Sequence, residues 1–531
     1  MNTKTTAKKI LGEMPLTAEL YWYLRQGGNP PRTGYKLDKI QERLPLLVEQ
    51  AIAARHTNHP GKNVLIFATL HFWIAHGTVL GLALAAQGHN VTLAYLPYSN
   101  SNEAINKFDL RRQNIYTEKV LAETKPLMDN ISFLERGPGA EDLPGVLHQV
   151  IDQVSLRDTQ YIMQVEDIPE NSPLYMLRQT RNLAAATAAY RYVQFSKPDV
   201  VIIPNGSILE FGSVFQVARY LEFPTVTYEF GEQRNRIWIA QDSEVMHQRT
   251  DALWQTRQGM EISAAELERV ETLYSSRQKA SLWGNFSRQW QGVPTIGGDQ
   301  ARRTLGLDER PVILLATNVI GDSLTLGRQV FSDSMTEWLQ RTLEYFASHH
   351  DAQLVVRIHP GELVTKGPSV GDVVHQTFPK GIPENITLIS ADAEINTYDL
   401  IEIADLGLVY TTTVGMEMAM RGVPVIVIGQ THYREKGFTL DPDSWDAFFE
   451  LLTNFMVDPE QYRLSKHEIG VAREYAYRFF FEYPQPYPWH LLHLWDDIDE
   501  APIEAVLSDA GMQQYGDTFR YLVGEPIDWS K

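Results

Sequence analysis

Two short stretches hold the residues best suited to chemistry. Arg357-Ile358-His359-Pro360-Gly361-Glu362 closes a β-branched run that begins at Leu354, and downstream Tyr410-Thr411-Thr412-Thr413-Val414-Gly415-Met416-Glu417 closes a second. Both read as buried strands that stop at polar loops, and in an open parallel α/β sheet such carboxyl-end loops are where ligands sit. Pro360 restricts φ and offers no backbone donor, so the chain leaves the sheet there and His359 turns toward the crevice. In the second stretch, Thr hydroxyls and the leading N–H groups of a helix can hold anionic oxygen. Gly415 lets a ligand approach the backbone. Glu417, one turn into that helix on the face of Thr413, is placed to accept from ribose hydroxyls. The plainer alternatives are a His satisfied at a strand end and a Thr412 or Thr413 that only caps the helix. Taken together, the groups suit a nucleotide monophosphate or diphosphate sugar.

Strands and helices must position these loops, and the hydrophobic spacing supplies them twice. In the first half, apolar runs at 63–68, 91–96, 200–204 and 225–229 alternate with helical spacing at 77–87 and 213–221. In the second half, strands are expected at 312–316, 353–358, 386–389, 406–410 and 424–428. Helices are expected at 300–305, 333–348, 397–403 and 414–421. Two successive β-α-β series predict an α/β fold of two Rossmann-like domains facing a cleft, with helical additions. The expected divisions are a helical lead-in at 1–59, with Tyr21, Trp22, Tyr23 and Leu24 buried, and a first domain at 60–292 carrying a helical insertion near 101–196. A Gly- and Pro-bearing boundary at 292–299 precedes a second domain at 300–465, and a tail at 466–531 packs back on the body. No repeat array is evident.

Composition narrows the function class. A chain of 531 residues exceeds one ordinary core, and 44% hydrophobic with 21% charged residues are globular values. A net charge of −19 argues against a protein built to grip nucleic acid, since phosphate binding needs clustered cations. No run is long and apolar enough to be a spanning segment, which predicts a cytoplasmic protein with at most peripheral membrane association. With no cysteine, disulfides, thiolate metal sites and a cysteine nucleophile are excluded. There is no HExxH, and Asp441-Pro442-Asp443 lies in a polar turn, so no metal is expected. No GxxxxGK[ST] loop is present either, which argues against ATP hydrolysis.

One series of motifs points further. Asn396-Thr397-Tyr398-Asp399-Leu400, Ala404-Asp405, Val409 to Gly415, Glu417, Gly422-Val423-Pro424-Val425 and His432-Tyr433-Arg434-Glu435-Lys436-Gly437-Phe438-Thr439 resemble the capsule polysaccharide biosynthesis family. That family includes bacterial β-Kdo transferases, and the motifs resemble the nucleotide-binding half of a GT-B glycosyltransferase. The match covers residues 300–450 well and the first half in outline.

The resemblance implies that His359-Pro360 contacts the donor nucleotide, supported by Arg357 and Glu362, and that the loop bearing Asn318 borders the same site. It further implies that Tyr433 and Lys436 serve a leaving phosphate; as bare sequence they form a solvated loop. Such enzymes work without a bound metal or other cofactor, and their partners are a nucleotide-sugar donor, with a cytidine nucleotide favoured, and a glycan or glycolipid acceptor. The first half would then supply the acceptor side and a general base within reach of the acceptor hydroxyl. Glu229 and Glu232 follow the strand at 225–229, with Gly231 permitting a tight turn, and His71 or His76 after the opening strand is the rival. Asn205-Gly206-Ser207 belongs to the same edge. The expected function is sugar transfer in cell-surface or capsular polysaccharide biosynthesis. Its alternatives are a nucleotide-sugar epimerase, a polyol-phosphate transferase or a non-catalytic nucleotide-sugar-binding protein.

Overall fold

A computed structural model describes residues 3–27, 29–55, 61–134, 142–286 and 292–531. The division expected at 59/60 lies outside the described residues. The chain forms two compact units. The first comprises Met1–Ile162, Ile168–Met246 and Gln485–Ile527; the second comprises Met163–Asp167, His247–Pro484 and Asp528–Lys531.

In the first unit, β1 (Asn63–Thr69), β2 (Asn90–Leu96), β3 (Met128–Ser132), β4 (Val200–Pro204) and β5 (Thr225–Glu229) form a parallel sheet in the order β3-β2-β1-β4-β5. β6 (Arg236–Gln241) and the short strand Gln485–Pro486 extend it antiparallel. β1 is buried at every residue after Asn63, as a central parallel strand covered on both faces must be. The helix His71–Ala86, which follows β1, is buried from Trp73 to its end; it is apolar all round because it lies inside the unit rather than on it.

The second unit repeats the order. β7 (Val312–Ala316), β8 (Gln353–Arg357), β9 (Ile386–Ile389), β10 (Leu406–Val409) and β11 (Val425–Val427) are all parallel and lie as β9-β8-β7-β10-β11. Numbered within each unit, both sheets therefore read 3-2-1-4-5, the doubly wound arrangement in which the order reverses beside the first strand. Trp338, Leu343, Leu354, Val356, Leu408 and Phe448 are among the core of the second unit.

Four features differ from expectation. The stretch 101–196 is not purely helical: β3 lies within it, between Lys107–Leu121 and the helices Gly145–Met163 and Pro173–Ser196. Its sequence, MDNIS, is partly exposed as an edge strand is, so it carries no continuous apolar run. Residues 247–286, placed in the first domain by the Gly- and Pro-bearing boundary at 292–299, pack in the second unit, through Asp251–Arg257 and Ala264–Gln278 among others. The tail is shared, with 466–484 in the second unit and Gln485–Ile527 in the first. In the lead-in, Trp22 is buried but Tyr21, Tyr23 and Leu24 are exposed. Glu166, from the short piece of the insertion that joins the second unit, accepts from the N–H groups of Met335 (2.8 Å) and Thr336 (3.0 Å) and so caps the helix Met335–Ser348.

Candidate functional site

In the second sheet the order reverses between β7 and β10, and the loops leaving their carboxyl ends are joined to each other. Asn318, just after β7, accepts through Oδ1 from the N–H of Thr411, just after β10, at 3.1 Å. Thr317 Oγ1 accepts from the His359 N–H at 3.1 Å and lies 3.2 Å from the Arg357 carbonyl oxygen, to which it donates. Thr411 in turn donates its hydroxyl to the Leu324 carbonyl at 2.9 Å. Three strand ends are thereby held as one assembly by side chains that replace backbone partners. Thr317 and Asn318 open the loop Thr317–Ser323, expected from the sequence either to border the site or to be only a strand-to-helix turn; both hold neighbouring strand ends.

His359 sits half-buried at the head of the short turn Pro360–Val364. Its Nδ1 accepts from the Gly361 N–H at 2.9 Å, so the imidazole proton resides on Nε2 and the ring is a neutral donor. Burial, and then the nearby Arg357 guanidinium, lower its pKa to about 4. Gly361 is needed for this contact, since a Cβ there would stand 2.7 Å from Nδ1. Glu362 faces the other way: its carboxylate accepts from the Ser369 hydroxyl (2.6 Å) and the Val370 N–H (3.1 Å), anchoring the turn to the start of Val370–Thr377.

Arg357, the last residue of β8, is 3% exposed. It donates to the Ser390 carbonyl and, at 3.4 Å, to the Thr397 hydroxyl, and no carboxylate of the described residues forms an ion pair with it. Burial lowers the guanidinium to about 10, against the distant pull of Asp392. A buried cation held only by neutral oxygens favours an incoming anion.

The loop after β10 divides in its duties. Thr412 Oγ1 accepts weakly from the Val414 N–H at 3.4 Å, whereas Thr413, at the head of the seven-residue helix Val414–Met420, makes no side-chain cap bond. Pure capping therefore does not account for Thr413. Two expectations need correction here. Gly415 makes room for protein and not for ligand, because a Cβ there would lie 2.5 Å from the Tyr433 hydroxyl and 2.8 Å from Val409. Tyr433 is fully buried and donates to the Thr412 carbonyl at 2.5 Å, which makes it a brace beneath the loop.

Glu417 is also a correction. Expected to accept from a ribose, it is 3% exposed, accepts from Arg277 with one oxygen and from the Tyr398 hydroxyl at 2.9 Å with the other. Tyr398 stood in plain view in the motif, but Arg277 lies 140 residues away in sequence and carried no signal. Other motif residues are likewise fastenings: Asp399 accepts from the N–H groups of Ile296 (2.9 Å) and Gly297 (3.0 Å). Asp405 accepts from Val312 N–H at 2.8 Å. Lys436 pairs with Asp251 at 2.5 Å. Among the described residues no three His, Asp or Glu side chains gather where they could hold a metal ion.

The residues considered for the base are in the first unit. Glu229, ending β5, accepts from the Asn205 amide at 2.9 Å and from the Phe230 N–H at 3.0 Å. Glu232 is half-buried on the following loop, where Gly231 packs so closely that a Cβ would meet the Trp238 ring at 2.8 Å. His71 lines a cavity of about 310 Å³ with Lys36, Asp38, Phe72 and Trp495. Its Nδ1 is buried without a partner, so a base working through Nε2 would strand its proton on Nδ1. His76 is core: it is enclosed between the hydroxyls of Tyr228 (3.2 Å) and Tyr487 (3.3 Å). Asn205-Gly206-Ser207 forms a turn in which Ser207 donates to Glu244 at 2.7 Å.

Residues 290–449, which contain all these second-unit loops, match the family model described as capsule polysaccharide biosynthesis protein. The match spans 160 of the 531 residues. No curated protein matches the chain. Among solved structures, the chain resembles Thermosulfurimonas dismutans KpsC, beta Kdo 2,4 transferase, at 16% identity over 61% of this chain and 87% of that one, with a TM-score of 0.35. The beta Kdo 2,7 transferase of the same KpsC follows at 14%, covering 59% and 88%, TM-score 0.33. A UDP-GlcNAc 2-epimerase from Neisseria meningitidis bound to UDP-GlcNAc gives 13%, covering 79% and 98%, TM-score 0.26. Likeness at this level carries no argument about activity, which rests on the family segment and on the site itself.

Proposed function

We propose that the chain is a GT-B-type glycosyltransferase of cell-surface or capsular polysaccharide biosynthesis. The second unit binds a nucleotide-activated sugar, and the sugar passes to a glycan or glycolipid acceptor. One observation carries the reading: at the reversal point of a 3-2-1-4-5 sheet within the family segment, a neutral His359 donor, a buried Arg357 without a carboxylate and an uncapping Thr413 occupy loops held together by Thr317 and Asn318. Those groups suit phosphate and a nucleoside. In this reading Arg357 and His359 offset the charge on the leaving phosphate, with no metal required. Glu232 or Glu229, at or just after the carboxyl end of β5, is the base in this reading, ahead of His71, whose buried Nδ1 has no partner to orient the ring.

A thermal-shift screen of CMP, CDP, UDP and GDP tests the first half of this. The favoured nucleotide, expected to be a cytidine one, should stabilise by about 2.7 kcal/mol at 100 times its dissociation constant. Product should then form only when donor and acceptor are both present; conversion of the donor alone would mean an epimerase, and binding without turnover a silent protein. Replacing whichever of the two carboxylates serves by Gln should lower turnover by about 100-fold and spare nucleotide binding. Unchanged rates for both Glu232→Gln and Glu229→Gln would remove the carboxylate base.

A further inference from the structure

The lead-in presents an apolar face that nothing among the described residues covers. Leu16 immediately precedes the helix Thr17–Leu24, within which Leu20, Tyr23 and Leu24, at spacings of three and one, share one side. They are 65%, 57%, 66% and 78% exposed. Ile10, Leu11 and Met14, from the preceding helix Thr3–Glu13 and its end, are exposed as well. The opposite side is the one that packs: Ala18 and Trp22 are buried, Tyr21 meets Phe108 edge-on at 5.4 Å, and a Cβ on Gly12 would lie 2.7 Å from the Phe108 backbone. The pair of helices thus packs on Lys107–Leu121 and leaves Ile10, Leu16, Leu20, Tyr23 and Leu24 facing outward.

Charge identifies the occupant. Residues 1–36 hold six Lys or Arg against two Glu, in a chain whose net charge is −19. Both acidic side chains are already neutralised from below, Glu13 by Lys107 at 2.6 Å and Glu19 by Arg111. Lys9, Arg25, Arg32 and Lys36 are exposed, and no ion pair engages them among the described residues. A second copy placed on this face by a two-fold axis would bring these cations against themselves. Leucine and tyrosine on one side of a short helix, rimmed by unpaired cations, is the composition of a segment that lies in the plane of a bilayer surface. No helix of the described residues is long and apolar enough to cross a membrane, so contact of this kind is superficial.

We propose that the face formed by Ile10, Met14, Leu16, Leu20, Tyr23 and Leu24 docks the protein on an anionic phospholipid surface. The proposal does not depend on the glycosyltransferase reading. It is tested by co-sedimentation of the full chain with extruded vesicles of phosphatidylcholine alone or of equal parts phosphatidylcholine and phosphatidylglycerol. Binding is expected to the anionic vesicles only, and to weaken as salt is raised. Leu20→Ser with Leu24→Ser, and separately Arg25→Glu with Arg32→Glu, should each lower the bound fraction by about tenfold or more, with circular dichroism and melting unchanged because all four side chains are exposed. Failure of the wild type to sediment with anionic vesicles overturns the proposal, as does equal binding to neutral ones or normal binding by the leucine variant. A concentration-dependent dimer that the leucine substitutions dissolve, without vesicle binding, would assign the face to a second copy instead.

Discussion

The two units share a strand order and use it in opposite ways. In the first, the buried cation is paired with carboxylates carried on neighbouring helices. Arg178 donates to Asp158 at 2.6 Å and Glu210 at 2.9 Å, all three essentially inaccessible, and Asn182 adds a contact to Asp158 at 3.3 Å. His76 is enclosed by two tyrosines, and Glu229 is held by Asn205. At the strand ends of the second unit the neutral groups are paired, but the buried cation is not: Arg357 meets a carbonyl and a hydroxyl. Topology alone therefore does not make a binding site. What differs is whether charge is compensated within the protein, and an uncompensated buried cation is a reason for an anion to bind.

Removing the two arginines should separate these cases most widely. Arg178→Met leaves Asp158 and Glu210 buried without a cation and should cost about 3–5 kcal/mol of stability. Arg357→Met removes a charge that no carboxylate pairs with, so the ligand-free protein should change by less than about 1 kcal/mol while nucleotide affinity falls. Urea midpoints with and without nucleotide measure both, and equal destabilisation by the two substitutions would dissolve the contrast.

A smaller effect is expected from the two histidines. His359→Ala should weaken nucleotide binding by roughly 1.5–3 kcal/mol, through loss of a hydrogen bond to a charged phosphate, and barely move the melting of the free protein. His76→Ala should do the reverse, lowering the melting temperature with affinity intact. A His359→Ala protein that melts far lower yet binds normally would make His359 structural too.

The smallest effect is in the pH dependence. Burial lowers His76 to about 3 and His359 to about 4, below the free value near 6.5. Between those limits the unfolded chain binds more protons than the folded one, so stability rises with pH. Both contributions are complete above about pH 6.5 and are lost as pH falls toward 4 and 3. A bound phosphate would raise the His359 pKa and leave His76 alone, so saturating nucleotide should make the decline in melting temperature from pH 7 to 5 shallower. His359→Gln should abolish that difference.

The family segment was legible because its signals are local. A β-branched run that stops at Pro360, or a Thr-rich loop that opens a helix, is written in consecutive residues; β7, β9 and the helix Thr397–Ile403 lie where the apolar spacing puts them, as do β4 and β5 in the first unit. Failure came where a residue's role depended on a distant partner. Glu417 looked available because Arg277 could not be anticipated, and Gly415 looked like a ligand approach because nothing local said that the Tyr433 hydroxyl fills the space.

Hydrophobic periodicity and turn chemistry thus determined by themselves that this chain makes two α/β series and that polar loops end their strands, since both depend on neighbours within a few residues. Only the tertiary structure decided which buried charges are compensated, which unit receives residues 247–286 and the tail, and which side of the lead-in faces outward. Those outcomes depend on contacts between residues far apart in sequence, and pairing of that kind leaves no mark on local composition.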